Sequence, residues 1–145
     1  MTVKIIKKDD EYISVGNLID EIKKAQRVDE AGAIYSFEGI VRGEEEDLTV
    51  DKLVLSLADE EKALEEINAI IETAKVKHGV FEISVVHYIG EFYTGDSLFL
   101  VVVLGPHRGE TLEALTEVVE RVKHEIDFKK EEISNKGTKV IMAGG

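Results

Sequence analysis

The segment SLFLVVVLG, residues 97–105, constrains the fold more than any other stretch of the chain. From Leu98 to Leu104 every side chain is apolar, with no polar alternation. A strand with one wet face alternates, whereas an unbroken apolar run is shielded on both faces. The run is also far shorter than the roughly 20 residues that span a bilayer. It is therefore expected as a central sheet strand with helices covering it.

The remaining periodicities supply those covers. VKII, residues 3–6, reads as a first strand. Residues 14–26 read as a helix, with Ser14 as N-cap and Leu18, Ile19 and Ile22 on one face. Residues 32–43 are β-rich, and 51–57 alternate through Leu53, Leu55 and Leu57. A long helix is predicted over 59–77, with Leu64, Ile67, Ile70, Ile71 and Ala74 as its apolar stripe. A strand over 80–92 meets 97–105 through the turn residues Thr94-Gly95-Asp96. A last helix over 109–125 leads to a hairpin, 129–134 and 138–142, around Asn135-Lys136-Gly137. No repeat, linker or low-complexity tract interrupts the pattern, so residues 1–145 read as a single domain. The class is α+β, a mixed or antiparallel sheet covered by helices.

Charge and composition exclude several functions. A net charge of -12 leaves no broad basic face for nucleic acid or an anionic membrane. With no cysteine, the chain has no disulfide, thiolate metal site or cysteine nucleophile. Its four histidines are scattered, without HxxxH or clustered carboxylate spacing, so no metal site is expected and no cofactor is called for. Nothing at the N-terminus marks export, and the expected setting is the cytoplasm.

Against that acidity, RVKHEIDFKK (121–130) gathers four of the eighteen Lys and Arg. On a helical wheel Leu112, Leu115, Val118, Val119, Val122 and Ile126 share an arc of about 120°. Lys123 lies roughly 20° outside it, while Arg121 and His124 point well away. Two readings of Lys123 stand open: a snorkelling stem with a wet ammonium, or a partly desolvated amine fit for acid/base or nucleophilic work. LGPHRGE (104–110) places His107 and Arg108 where a buried strand turns into a helix. That corner is either an anion site, built on free backbone N–H groups and a guanidinium fork, or a solvated corner. Arg42 is a third basic contributor or a surface ion pair. His87 shares parity with Val85 and Ile89 and reads as a satisfied core histidine. The acidic run Glu44 to Asp47 reads as a solvated loop.

Four stretches occur in a familiar order: GAIYSFEGIVRGEEE, HYIGEFYTGD, VVVLGPHR and RVKHEIDFKKEE. From about Ser14 to the end of the terminal hairpin, the chain resembles the large, catalytic subunit family of molybdopterin synthase. The resemblance implies an α+β subunit working as a central homodimer, flanked by two small ubiquitin-like sulfur carriers in a heterotetramer. It implies that the carrier's Gly-Gly tail, ending in a thiocarboxylate, enters a pocket drawn from both protomers. Two sulfurs then pass to cyclic pyranopterin monophosphate, forming the dithiolene of molybdopterin. In this chain the resemblance assigns Lys123 and Lys130 as catalytic lysines. It assigns Ile40, Val41, Arg42, His107, Arg108, Glu131 and Glu132 to the substrate.

The chain also departs from the family pattern. Tyr88 stands where the family usually has arginine, Asp127 to Lys129 replace Pro-Phe-Trp, and Val140 and Gly144 replace a tryptophan and an arginine. These departures support a rival expectation, a non-catalytic homologue that binds the carrier without turnover. The ending MAGG raises a third, a Gly-Gly-tailed carrier, which the four motifs oppose.

Overall fold

The computed structural model describes residues 1–45 and 47–141. Within them the hydrophobic periods become β1 (Val3–Lys7), α1 (Val15–Ile22), a single 3-10 turn at Val28–Glu30, and β2 (Ala33–Ile40). Next come β3 (Glu44–Glu45), β4 (Leu48–Leu57), α2 (Glu60–His78) and β5 (Glu82–Phe92). The chain then forms β6 (Ser97–Gly105), α3 (Arg108–Glu125), β7 (Phe128–Ser134) and β8 (Gly137–Ile141).

The strands make one mixed sheet, ordered β2-β6-β5-β4-β7-β8, with β3 paired to β4. β1 joins β5 in parallel, and the remaining pairings are antiparallel. As the apolar run requires, β6 is internal, and Leu100 to Val103 are fully buried. On one face Ile83, Val85, Val101 and Val103 pack with Ile67, Ile70 and Ile71 of α2 and with Leu115, Val118 and Val122 of α3. On the other, Val86, Leu100, Val102 and Leu104 pack with Leu18 and Ile22 of α1. Burial on both faces is what removes any need for alternation.

Local chemistry sets the helix ends. The Ser14 side chain accepts the Asn17 N–H at 3.0 Å while Asn17 Oδ1 accepts the Ser14 N–H at 3.0 Å, a reciprocal cap. Asp59 accepts the Lys62 N–H at 3.1 Å and starts α2. α1 ends at Ile22, four residues before the sequence reading, because Lys24 and Ala25 donate three residues back, to Glu21 and Ile22. The acidic run is also not a loop: Glu44 and Glu45 pair with Thr49 and Leu48 in an exposed two-stranded turn, which extends β4 back to Leu48. Glu46 lies outside the described residues, as does the 142–145 ending that carries Gly144 and Gly145.

α3 is rotated from its sequence wheel. Thr111 and Ala114 are buried, Val119 is half-buried, and Leu112 is 46% exposed, contrary to its expected place in the core. The buried arc is turned by roughly 40–50° toward the smaller side chains. The cause is a close approach at the helix start, where the Thr111 hydroxyl donates to the His107 carbonyl at 2.5 Å and presses on Gly105.

Two glycines carry geometry that other residues resist. Gly90 has φ 122, in the left-handed region, where β5 leaves β1 and takes β4 as its neighbour. At Gly105 a Cβ would lie 2.1 Å from Thr111 Oγ1. Gly105→Ala is expected to destabilise the fold by about 1–3 kcal/mol through overpacking. A lowered urea midpoint with unchanged slope would register it; an unchanged midpoint would show that the α3 start yields freely.

Candidate active site

The turn from α3 into β7 builds the site. α3 ends with Lys123 in its last turn, where a cation suits the helix dipole. Ile126 is buried and closes the helix, and the chain returns immediately as a strand. On β7 alternate residues point inward, so Phe128, Lys130 and Glu132 face one cavity that Lys123 also borders. The cavity encloses about 570 Å³. Phe37, Gly39, Leu98 and Phe99 form one wall, and Leu53 and Leu55 of β4 another. Ile40, Val41 and Arg42 close its rim.

Each polar group there has a defined state. Lys130 Nζ lies 3.4 Å from Glu132 Oε1, and Glu132 is only 7% exposed. Lys123 has no carboxylate within ion-pair distance among the described residues. Arg42 is largely exposed, its guanidinium 4.0 Å from Glu45. Val41 is buried, and its backbone is clamped: its N–H donates to the Asp96 carbonyl and its carbonyl accepts the Gly95 N–H, both at 2.9 Å. Asp96 is in turn held by Lys8 at 2.5 Å, and hydrogen bonds first from Lys8 and then from the Tyr93 N–H lower its pKa. The rim is thus tied to a turn and to the end of β1.

The basic stretch 121–130 does not act as one patch. Arg121 pairs with Glu125 at 2.6 Å and with Glu117 at 3.8 Å on the outer face of α3. His124 Nδ1 lies 2.8 Å from the Glu120 carbonyl oxygen. Lys129 pairs with Glu131 at 3.3 Å on the opposite face of β7. Only Lys123 and Lys130 reach the cavity.

Of the residues singled out in the sequence, one protomer therefore gathers Ile40, Val41, Arg42, Lys123, Lys130 and Glu132. Glu131 alternates outward. His107 and Arg108 stand at the opposite end of α3 from Lys123, about 22 Å along its axis at the helical rise. His107 is 82% exposed, and its Nδ1 lies 2.6 Å from Glu110 Oε1. Glu110 is drawn to the helix start by its own backbone N–H and then by His107, which hold its carboxyl below the usual range. An anion arriving at that corner meets Arg108 but has to displace Glu110.

Tyr88 plays no part in the cavity wall. It is buried, and its hydroxyl accepts the Ile13 N–H at 2.9 Å and donates to the Ile13 carbonyl at 3.2 Å, pinning the segment before α1. His87, read as a satisfied core residue, is buried but lines the cavity. Its ring stacks on Phe128 at 4.0 Å and lies 4.9 Å from Phe99. Strand parity alone does not separate a core face from a cavity face, and that hid both His87 and the aromatic wall. Among the described residues no group of three or more His, Asp or Glu is placed to hold a metal ion. No helix among them is long and apolar enough to cross a membrane.

Residues 9–125 match the family described as MoaE protein. The chain belongs to the MoaE family. The molybdopterin synthase catalytic subunit of Pyrococcus abyssi is 30% identical over 135 residues, 93% of this chain and 87% of that protein. The Escherichia coli protein of the same name is 32% identical over 117 residues, 79% of this chain and 76% of its own. The fold agrees with the molybdopterin synthase structure from Staphylococcus aureus, with a TM-score of 0.81 at 23% identity and 95% of each chain covered. A second MoaE-like likeness is to the complex of subunits 1 and 2 of molybdopterin-converting factor from Helicobacter pylori, with a TM-score of 0.72 and 25% identity. That match covers 98% of this chain and 90% of the other.

Burial gives this MoaE-family fold a pH signature. Enclosure pushes the His87 pKa down to about 4, against an ordinary value of 6.5. Between those values the unfolded chain binds the extra proton, so stability rises with pH from about 4 to 6.5 and is lost on acidification through that window. The contribution is on the order of 3 kcal/mol. His87→Phe should flatten the wild-type slope of unfolding free energy over that range; parallel slopes in the two proteins would mean that the ring charges freely in the fold.

Proposed function

We propose that this chain is the catalytic subunit of a molybdopterin synthase. It transfers sulfur from the thiocarboxylated C-terminus of a small ubiquitin-like carrier to cyclic pyranopterin monophosphate. The observation that carries this reading is the pair of lysines, Lys123 and Lys130, brought from helix and strand to one aromatic-walled cavity in a chain without cysteine. Such a chain moves sulfur only if the sulfur arrives on a partner. Family membership and the relatives' names support the same reaction.

The two amines differ in setting, and we assign them different work. Lys130 is fixed by Glu132 and acts as a standing positive charge, stabilising negative charge that develops on the pterin. Lys123, without a carboxylate partner, is the group that attacks the carrier's acyl carbon or moves a proton as sulfur leaves. Arg42 at the rim, with Ile40, Val41 and Glu132, completes the substrate contacts of one protomer, while Glu131, paired with Lys129 on the other face of β7, takes no part in that cavity. His107 and Arg108 lie too far along α3 to serve the cavity of their own protomer. They serve the cavity of a second copy, where they bind the substrate's phosphate, which makes the working unit a homodimer flanked by two carriers. An acidic chain whose described helices do not span a membrane suits a cytoplasmic setting.

The reading of a carrier-binding but inactive homologue rests chiefly on two departures, Tyr88 and Gly144, of which Gly144 lies outside the described residues. Tyr88, where the family has arginine, is spent on the Ile13 backbone and does not line the cavity.

Lys123→Ala and Lys130→Ala are each expected to cut turnover by at least about a hundredfold, the scale of a lost acid/base group. Carrier binding should persist in both. Near wild-type turnover in both variants would end the catalytic assignment. Sharing of the site between protomers has its own signature. Lys123→Ala and Arg108→Ala subunits, each nearly inactive alone, should regain about a quarter of wild-type turnover when exchanged into mixed dimers, since only heterodimers hold one intact pocket. No recovery after verified exchange would mean that each pocket takes both residues from one protomer, or would remove Arg108 from it.

A further inference from the structure

We propose that His87 is a substrate-binding residue of this cavity, its Nε2 accepting a hydrogen bond from a ring N–H of the bound pterin. The inference rests on the proposed function for the ligand's identity, but the geometry belongs to the chain itself. His87 Nδ1 lies 2.9 Å from the Tyr88 carbonyl oxygen, an atom that only accepts. Nδ1 therefore carries the ring's proton, and Nε2 presents a bare lone pair.

That lone pair is neither satisfied nor sealed. Among the described residues Nε2 has no hydrogen-bond partner, and the one enclosed side-chain polar atom left unpaired is Ser84 Oγ. Nε2 therefore opens on the cavity that His87 lines. Stacking on Phe128 at 4.0 Å and contact with Phe99 at 4.9 Å fix the ring plane, so the acceptor has a set direction.

The surrounding groups explain why an acceptor is needed there. Lys123, Lys130 and Arg42 only donate, the Glu132 carboxylate is engaged by Lys130, and Glu45, the other lining carboxylate, stands at the rim 4.0 Å from Arg42. A pterin ring carries N–H donors as well as acceptors, and a donor enclosed without a partner costs free energy. A neutral imidazole meets that donor without adding another carboxylate or cation to the pocket. Burial keeps the ring neutral near pH 7. A site built to pair with a substrate N–H also rejects ligands that lack it.

Binding of cyclic pyranopterin monophosphate to wild type, His87→Phe and His87→Gln tests the assignment by titration calorimetry. Phe keeps the aromatic stack and removes the acceptor. It should weaken binding about tenfold, and Gln, with its own carbonyl acceptor, should restore part of the loss. In wild-type protein labelled with 15N-histidine, the His87 Nε2 resonance should move on adding the pterin and stay put with inorganic phosphate. Wild-type affinity in His87→Phe overturns the assignment. If that variant fails to fold, an Nε2 resonance unmoved at saturation overturns it equally. Wild-type protein that binds no pterin at all would instead remove the proposed function, and this inference with it.

Discussion

Everything in this fold is arranged around a strand that cannot touch water. β6 buries Leu100 to Val103 completely, which forces neighbours on both edges and helices on both faces. At roughly 25 cal/mol per Å² of apolar surface, no surface ion pair in the chain rivals that constraint. α3 begins immediately beyond β6 and packs back on it with Leu115, Val118 and Val122. Its length then decides where Lys123 falls. The Lys123 end of the helix is thus placed by the core, and the cavity lies where α3 hands the chain to β7.

The same packing sorts the positive charges of an acidic protein. On an exposed helix face a guanidinium finds carboxylates at i±4, and Arg121 is neutralised by Glu117 and Glu125. On a strand the alternation of side chains separates Lys129 from Lys130, giving the first to Glu131 outside and the second to the cavity. Lys123 and Lys130 are left beside the cavity, with Arg42 at its rim; Lys123 is exposed and Lys130 half-buried, so the positive field there comes from their grouping and not from deep burial. A net charge of -12 is compatible with an anion-handling site because local arrangement, not the total, sets the field there.

Much of this was legible in the sequence, and the parts that were not share a cause. The central place of the apolar run 98–104, the cap at Ser14 and the helix-edge place of Lys123 all follow from local sequence pattern. The cavity's lysines and its 40–42 rim came from motif resemblance. Periodicity failed where tertiary contact sets orientation. Leu112 was assigned to the core, but the close approach of Thr111 to Gly105 rolls α3 and turns Leu112 out. His87 is the buried, hydrogen-bonded histidine that parity implies, but one strand's parity cannot report the void beside it. The resemblance assigned His107, Arg108 and Lys123 to one site, yet within a protomer α3 holds Arg108 and Lys123 about 22 Å apart along its axis.

That separation carries a further consequence for how the protein works. A helix of 18 residues, about 27 Å long, cannot deliver both its ends to one small ligand within a protomer. It can do so between two protomers packed so that the start of one α3 meets the end of the other. Such an arrangement also answers the occupation of the α3 start by Glu110. In an isolated chain Glu110 satisfies the helix N-terminus and His107, keeping a solvent-facing corner quiet. Against a partner's cavity, a phosphate displacing that carboxylate gains the Arg108 fork and the helix dipole together. Substrate binding and subunit pairing then reinforce each other, since each supplies groups the other lacks.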